Sequence, residues 1–256
     1  MTKPDAALPA SESWAFFFDF DGTLVEIASR PDEVVVPNDL GAQLAELAGR
    51  AGGALAIITG RRIADIDRLL RPYRLDVAGV HGAELRLAKR TTLTSQARND
   101  RFTKIVSKLH ERFGSSGLLI EDKGFAAAVH WRSQPTYEAD VVKFMNESLS
   151  MLGGDYRLQL GKSVAELVPT ASRKELIIER ILESEKYRSR KPVFFGDDLT
   201  DEGGFDFANR SGGISVRVGD GPSVARYRQP TVAGLRERLK GWAAGAPLNP
   251  DEDFVR

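Results

Sequence analysis

Short continuous apolar runs that alternate with segments of helical period predict an α/β fold, in which helices cover both faces of a parallel sheet. Between residues 91 and 168 the rhythm changes to helix, two strands, helix, two strands, which predicts a smaller inserted α+β lobe with an antiparallel sheet. The 256 residues, 42% hydrophobic and 28% charged, suffice for two such lobes.

WAFFFDF at 14–20 reads as a buried strand that breaks at Asp21-Gly22. Leu40, Leu44 and Leu47 then recur at helical spacing, and Gly52-Gly53 marks the stop. ALAIITG at 54–60 is a second buried strand. A helix over 62–70 sets Ile63, Ile66, Leu69 and Leu70 on one face, Pro72 lies just past it, and DVAGV at 76–80 is a third strand. In the insert, helices are expected over 96–113 and 136–152, with strands at GLLIED, FAAAVHW, YRLQL and SVAELV. A helix over 173–184, the strand PVFFG at 192–196, a short helix over 201–208 and GISVRV at 213–218 resume the first pattern. The expected architecture is a Rossmann-like core built from 1–90 and 169–256, with 91–168 as a cap. The leader MTKPDAALPASES and the end APLNPDEDFVR are expected to be disordered.

Lys plus Arg and Asp plus Glu both number 36, so no basic stripe is offered to a nucleic acid. The chain has no cysteine, which excludes a disulfide framework, thiol catalysis and cysteine-type zinc sites. The first thirteen residues lack the apolar stretch of a secretory signal, and no run approaches the roughly 20 apolar residues of a membrane span. A soluble, cytoplasmic monomer acting on a small molecule is the expectation.

FFFDFDGTLV at 16–25 places Asp19 and Asp21 where a strand runs out, so both carboxylates reach the crevice beyond the carboxyl ends of a parallel sheet. Such a pair suits phosphoryl transfer. One carboxylate attacks phosphorus, and the other protonates the leaving oxygen and later deprotonates the attacking water. A lone Asp-Gly pair is ordinarily only a turn. Thr59 ends the second strand in IITGR, where its hydroxyl and adjacent backbone N–H groups can hold a phosphoryl oxygen. The strand VFFG runs into DDLTDE, which sets Asp197, Asp198 and Asp201 within five residues. Acids crowded at a strand end repel one another, and a hard, oxygen-preferring cation such as Mg2+ relieves that repulsion. The competing reading is an acidic loop that caps the next helix. A cation for the remaining phosphoryl charge is expected at the start of the helix after the insert, from Lys174 or its rival Arg173.

The whole string D-x-D-G-T-L after an apolar strand resembles the first motif of the haloacid-dehalogenase superfamily, in the version with a second acid that its phosphatases carry. Thr59 is similar to the second motif. Asp197 resembles the superfamily's metal ligand, and Asp198 and Asp201 match acids that bind the metal or hold its water shell. An Asp19 oxygen and the Asp21 backbone carbonyl would complete the ligands. Where that family commonly has Lys-Gly, this chain has Lys174-Glu175.

GVHGAE at 79–84, EDKGFAAAVHWR at 121–132, GKSVAELVP at 161–169 and FGDDLTDEGGF at 195–205 further resemble the trehalose-6-phosphate phosphatases. That resemblance implies Mg-dependent hydrolysis of trehalose 6-phosphate through an aspartyl phosphate, with trehalose-6-phosphate synthase as pathway neighbour. The rivals are the same chemistry on sucrose, mannosylglycerate or glucosylglycerol phosphate, a phosphomutase, and a sugar-phosphate sensor without catalysis. A sensor would more naturally have lost Asp19, Asp21 or the acidic cluster.

On FAAAVHWR, alternation puts Phe125, Val129 and Trp131 on one face and Ala126, Ala128, His130 and Arg132 on the other. Lys162, Val164 and Glu166 share a parity, and Lys123 sits at a tip between two strands. Without the resemblance these are ordinary sheet residues, Lys162 and Glu166 a solvated ion pair. With it, Glu121, Lys123, His130, Lys162 and Glu166 become sugar-binding candidates, together with Arg61 and Arg132. His81 and Glu84 either contact substrate or fix the hinge. Linkers near 88–95 and 169–172 predict a closing cap.

Overall fold

The computed structural model describes residues 14–28, 30–88, 90–93 and 100–256. In chain order, β1 (Trp14–Phe18), α1 (Leu40–Arg50), β2 (Leu55–Ile58), α2 (Ile63–Leu69), β3 (Asp76–Gly79), β4 (Glu84–Leu87) and β5 (Arg90–Leu93) lead into the insert. The insert carries α3 (Asp100–Phe113), β6 (Leu119–Asp122), β7 (Ala127–His130), α4 (Glu138–Leu152), β8 (Tyr156–Gly161) and β9 (Val164–Pro169). The core resumes with α5 (Lys174–Leu182), β10 (Lys191–Gly196), α6 (Glu202–Arg210), β11 (Ile214–Val218), β12 (Tyr227–Gln229), α7 (Val232–Ala244) and α8 (Pro250–Asp253).

β1 is central because its run of aromatic residues has a buried partner on either side. Phe16 and Phe18 join the cluster under α1 and α7, with Leu44, Leu47, Leu239 and Trp242. Phe17 points the other way, to Ile177, Ile178 and Phe205 of α5 and α6. A strand buried on both faces reads as continuously apolar. The sheet order is β12-β11-β10-β1-β2-β3-β4-β5. β1 runs parallel to both β10 and β2, with Phe18 opposite Phe195 and Ile57. Asp19, Thr59 and Asp197 therefore emerge from three adjacent strands at one edge.

The cap sheet, in order β6-β7-β9-β8, is antiparallel. Ala127, Val129 and Trp131 pack with Phe102, Leu109 and Met145 of α3 and α4. Between the lobes sits a small apolar cluster of Val80, Ala83, Ala126 and Val168.

The structure departs from the sequence expectations in three places. The core sheet is not wholly parallel, because β3, β4 and β5 form an antiparallel meander that carries it to Leu93. Arg86 of β4 hides its charge by a two-bond contact with Asp67, at 2.6 and 2.7 Å, which masks the strand in the sequence. Second, the C-terminal end is ordered: Phe254 is buried against Phe195 and Trp242, and Val255 bridges Arg228. Third, β12 and α7 extend the core beyond the elements read from the sequence. The leader and the expected helical start at 96–99 lie outside the described residues. Among the described residues no helix is long and apolar enough to cross a membrane.

Candidate active site

Asp19 is the first residue past β1, and its N–H donates to the Phe195 carbonyl at 2.9 Å, which extends the strand pairing up to the carboxylate. Lys174, the first residue of α5, is only 4% exposed. Its Nζ donates to Asp19 Oδ1 at 2.7 Å and also to Asp201 Oδ1. The Thr23 hydroxyl donates to the other Asp19 oxygen at 3.3 Å. Asp201 Oδ2 accepts the N–H groups of Asp197 and Asp198, each at 3.0 Å, and so folds the DDLTD loop around itself. Arg173 is half exposed and lies 4.0 Å from Glu175, so Lys174 is the cation the fold brings in.

Carboxylate oxygens of Asp19, Asp197 and Asp201 lie within 4.8 Å of one another. Burial, opposed by Lys174, pushes Asp19 well above the usual carboxylate range. Burial, then the charge on Asp201, pushes Asp197 up to about 6. Burial works against the Lys174 charge, but Asp19 and Asp201 outweigh it and hold its pKa above the ordinary lysine value. Three crowded oxygen donors are the ligand chemistry that Mg2+ prefers, and a dication relieves the crowding that the raised acids record. The protein is accordingly magnesium-dependent. Gly22, at φ +84°, is obligatory here, because a Cβ would sit 2.3 Å from Asp197 Oδ2.

Asp21 and Asp198 stand outside this trio. The Asp21 carboxylate is gripped by Arg61, and Asp198 caps the following turn by accepting the Leu199 N–H at 2.8 Å. Both line the same cavity as the trio. Thr59 is buried, and its hydroxyl oxygen accepts the Arg61 N–H at 3.1 Å.

Facing these groups across a cavity of about 210 Å³ is the cap sheet. Gln159, Glu166 and Ala128 are cross-strand neighbours on β8, β9 and β7, and the alanine leaves room beside the acid. Glu166 accepts from Lys123 Nζ at 2.8 Å and lies 2.9 Å from His81 Nε2. Burial alone would raise the Glu166 carboxyl, but Lys123 and His81 hold it well below the usual range. Lys123 moves up: burial opposes its charge, and Glu166 and Glu121 more than compensate. Glu121 lies 3.3 Å from His130 Nε2, and that bond with Lys123 lowers its carboxyl despite burial.

His81 reaches the cap from the core through an unusual backbone. Val80, His81 and Gly82 take φ of 49°, 51° and 95°, a left-handed path that non-glycine residues rarely adopt. Lys162, at a cap turn, extends to Asp197 Oδ2 at 3.0 Å and does not pair with Glu166. Arg132 crosses to the Ala28 carbonyl of the core. Glu84 does not line the cavity; it accepts the Ile63 N–H at 2.8 Å and so caps α2. Sequence reasoning missed Thr23 and Gln159. Thr23 lay inside the D-x-D-G-T string, whereas Gln159 shows only once strand register sets it opposite Glu166.

This geometry is that of the aspartate-nucleophile phosphatases of the haloacid-dehalogenase superfamily. Residues 17–233 match the family model described as trehalose-phosphatase, and the chain belongs to that family. It is 40% identical over 230 residues to the trehalose-6-phosphate phosphatase of Escherichia coli (strain K12), covering 89% of this chain and 86% of that protein. To the probable trehalose-phosphate phosphatase of Sinorhizobium fredii (strain NBRC 101917 / NGR234) it is 38% identical over 238 residues, covering 93% and 89%. The C-terminal domain of the C. albicans trehalose-6-phosphate phosphatase shares its fold, with a TM-score of 0.78 at 22% identity over 93% of each chain.

Proposed function

We infer that the chain hydrolyses trehalose 6-phosphate to trehalose and inorganic phosphate, with Asp19 as nucleophile. The observation that carries this reading is the buried contact of Lys174 with Asp19 directly beneath the charged cap row. Asp19 bonds to phosphorus as the bond from phosphorus to the sugar oxygen breaks, and Asp21 supplies that oxygen with a proton. Asp21 then takes a proton from water as the water oxygen bonds to phosphorus and the Asp19 bond breaks. Lys174 and the Thr59 hydroxyl hold phosphoryl oxygens. Asp19, Asp197 and Asp201, with the Asp21 carbonyl and Asp198 nearby, would hold Mg2+, whose charge lowers the repulsion between phosphoryl oxygens and the attacking carboxylate.

The lobe that carries the second sheet acts as the specificity cap. Glu121, Lys123, His130 and Glu166 read sugar hydroxyls, His81 joins them from the core, and Lys162 and Arg132 hold the cap shut. Glu84 is assigned to the hinge side alone. The enzyme works as a cytoplasmic monomer downstream of a trehalose-6-phosphate synthase.

Phosphate release is to be measured from trehalose, sucrose, mannosylglycerate and glucosylglycerol phosphates, with magnesium and with chelator, for wild type and Asp19→Asn. Magnesium-dependent release from trehalose 6-phosphate, absent in Asp19→Asn, is expected. Preference for another sugar would overturn the substrate, and residual activity in Asp19→Asn the mechanism.

A further inference from the structure

Arg61 was a candidate for the sugar, yet its guanidinium is committed elsewhere. Nε donates to Asp21 Oδ2 at 2.7 Å and Nη2 to Asp21 Oδ1 at 2.6 Å. Nη1 donates to the Pro31 carbonyl at 2.8 Å, and the guanidinium lies over the Phe20 ring at 5.7 Å. Three of the five N–H groups are thereby used within the core lobe. The side chain is 10% exposed, and the residue's own N–H is tied to the Thr59 hydroxyl. Asp21 itself lies beyond β1 in a turn closed by the bridge to Val25, with its side chain 34% exposed. Among the described residues Arg61 alone hydrogen-bonds the Asp21 carboxylate, and a planar two-bond fork restricts the plane of that group.

We propose that Arg61 is a positioning residue for Asp21, aiming the proton donor at the leaving oxygen. The proposal rests on the reading of Asp21 as general acid. As the Asp19–phosphorus bond forms and the bond to the leaving oxygen breaks, the electron pair on that oxygen takes the proton from one Asp21 oxygen. That proton sits on the lone pair turned away from the guanidinium, so both bonds of the Arg61 fork remain and the carboxyl stays in plane through the transfer. A lysine, a point charge on a flexible stem, holds one oxygen but fixes no plane.

The value of an aimed proton depends on the leaving group. Nitrophenolate departs unaided, whereas phenolate, like a sugar alkoxide, needs the proton. The test compares kcat/KM for trehalose 6-phosphate and for phenyl phosphate and p-nitrophenyl phosphate, which carry no sugar hydroxyl, in wild type, Arg61→Met, Arg61→Lys and Asp21→Asn. This parameter covers steps up to phenolate departure, so the later attack of water does not enter. Arg61→Met is expected to lose on the order of tenfold or more with phenyl phosphate and less than about twofold with p-nitrophenyl phosphate, with Arg61→Lys intermediate. If Arg61→Met does not fold, the same ratio is read from Arg61→Lys.

Equal losses on both esters would reduce Arg61 to scaffolding, and a loss confined to trehalose 6-phosphate would return it to the sugar; either overturns the proposal. Asp21→Asn separates the two levels. A selective loss there that both Arg61 variants lack rejects the positioning role and keeps the acid, and no selective loss in Asp21→Asn rejects both.

Discussion

The two walls of the cavity hold charge in opposite ways. On the core wall, like charges are forced together: Asp19, Asp197 and Asp201 crowd at strand ends, with Lys174 as their buried counter-charge. On the cap wall each acid has its own hydrogen-bonding partners, Lys123 and His81 about Glu166 and His130 about Glu121. The core wall, with its excess of crowded carboxylates, is a place for a dication, whose charge together with Lys174 then admits a phosphoryl group. The acids of the cap wall are already partnered, so the wall offers donors and acceptors to hydroxyls without a bound ion.

If the walls divide chemistry from recognition, substitutions on the core wall should act on turnover with every ester. Asp19→Asn should lower kcat by about 10⁴-fold or more on both trehalose 6-phosphate and p-nitrophenyl phosphate, since it removes the nucleophile. Lys174→Met should follow at roughly 10³-fold, with a second signature in stability. It leaves Asp19 and Asp201 buried without their partner, which costs about 3–5 kcal/mol in a thermal or denaturant melt. A Lys174→Met protein as stable and as active as wild type would remove the asymmetry between the walls.

Cap substitutions should act on the sugar ester alone. Glu166→Gln is expected to reduce kcat/KM for trehalose 6-phosphate by about 10²-fold, mainly through KM, and to leave p-nitrophenyl phosphate turnover within about twofold. The same residue gives a pH prediction. The folded Glu166 pKa lies below its ordinary value of 4.5, so its contribution to stability is full above that pH and is lost as pH falls through and below it. Melting temperatures of wild type and Glu166→Gln should therefore converge below about pH 4.5. A gap that stayed constant down to pH 3 would count against the Lys123 and His81 contacts as its source.

The same contrast explains what the sequence disclosed. The core wall was legible because its acids are local: Asp197, Asp198 and Asp201 crowd within one loop, and Asp19 follows a strand whose double burial makes Phe16, Phe17 and Phe18 consecutive. The cap wall depends on register. Gln159, Glu166 and Ala128 form a row only after β7, β8 and β9 pair, and no spacing along the chain reveals that. The Arg61 grip on Asp21 spans 40 positions in sequence and was invisible for the same reason. β4 hid because its buried Arg86 reads as surface until Asp67 is placed beside it. The end APLNPDEDFVR reads as polar tail, yet Leu248 and Phe254 are buried in the core cluster, Phe254 on Trp242 and Phe195.

The smallest effect sharpens the boundary between hinge and pocket. Glu84 belongs to the GVHGAE string with His81, yet its carboxylate accepts the Ile63 N–H at 2.8 Å, at the start of α2, while His81 faces Glu166. Glu84→Ala should then behave as the loss of a helix cap, lowering stability by roughly 0.5–2 kcal/mol. KM for trehalose 6-phosphate should stay within about twofold of wild type, because no sugar contact is removed. His81→Ala, by contrast, should raise KM through the loosened Glu166. A Glu84→Ala protein of unchanged stability but raised KM would place Glu84 on the cap wall's side of the division, and would mean that the segment acts as one recognition element.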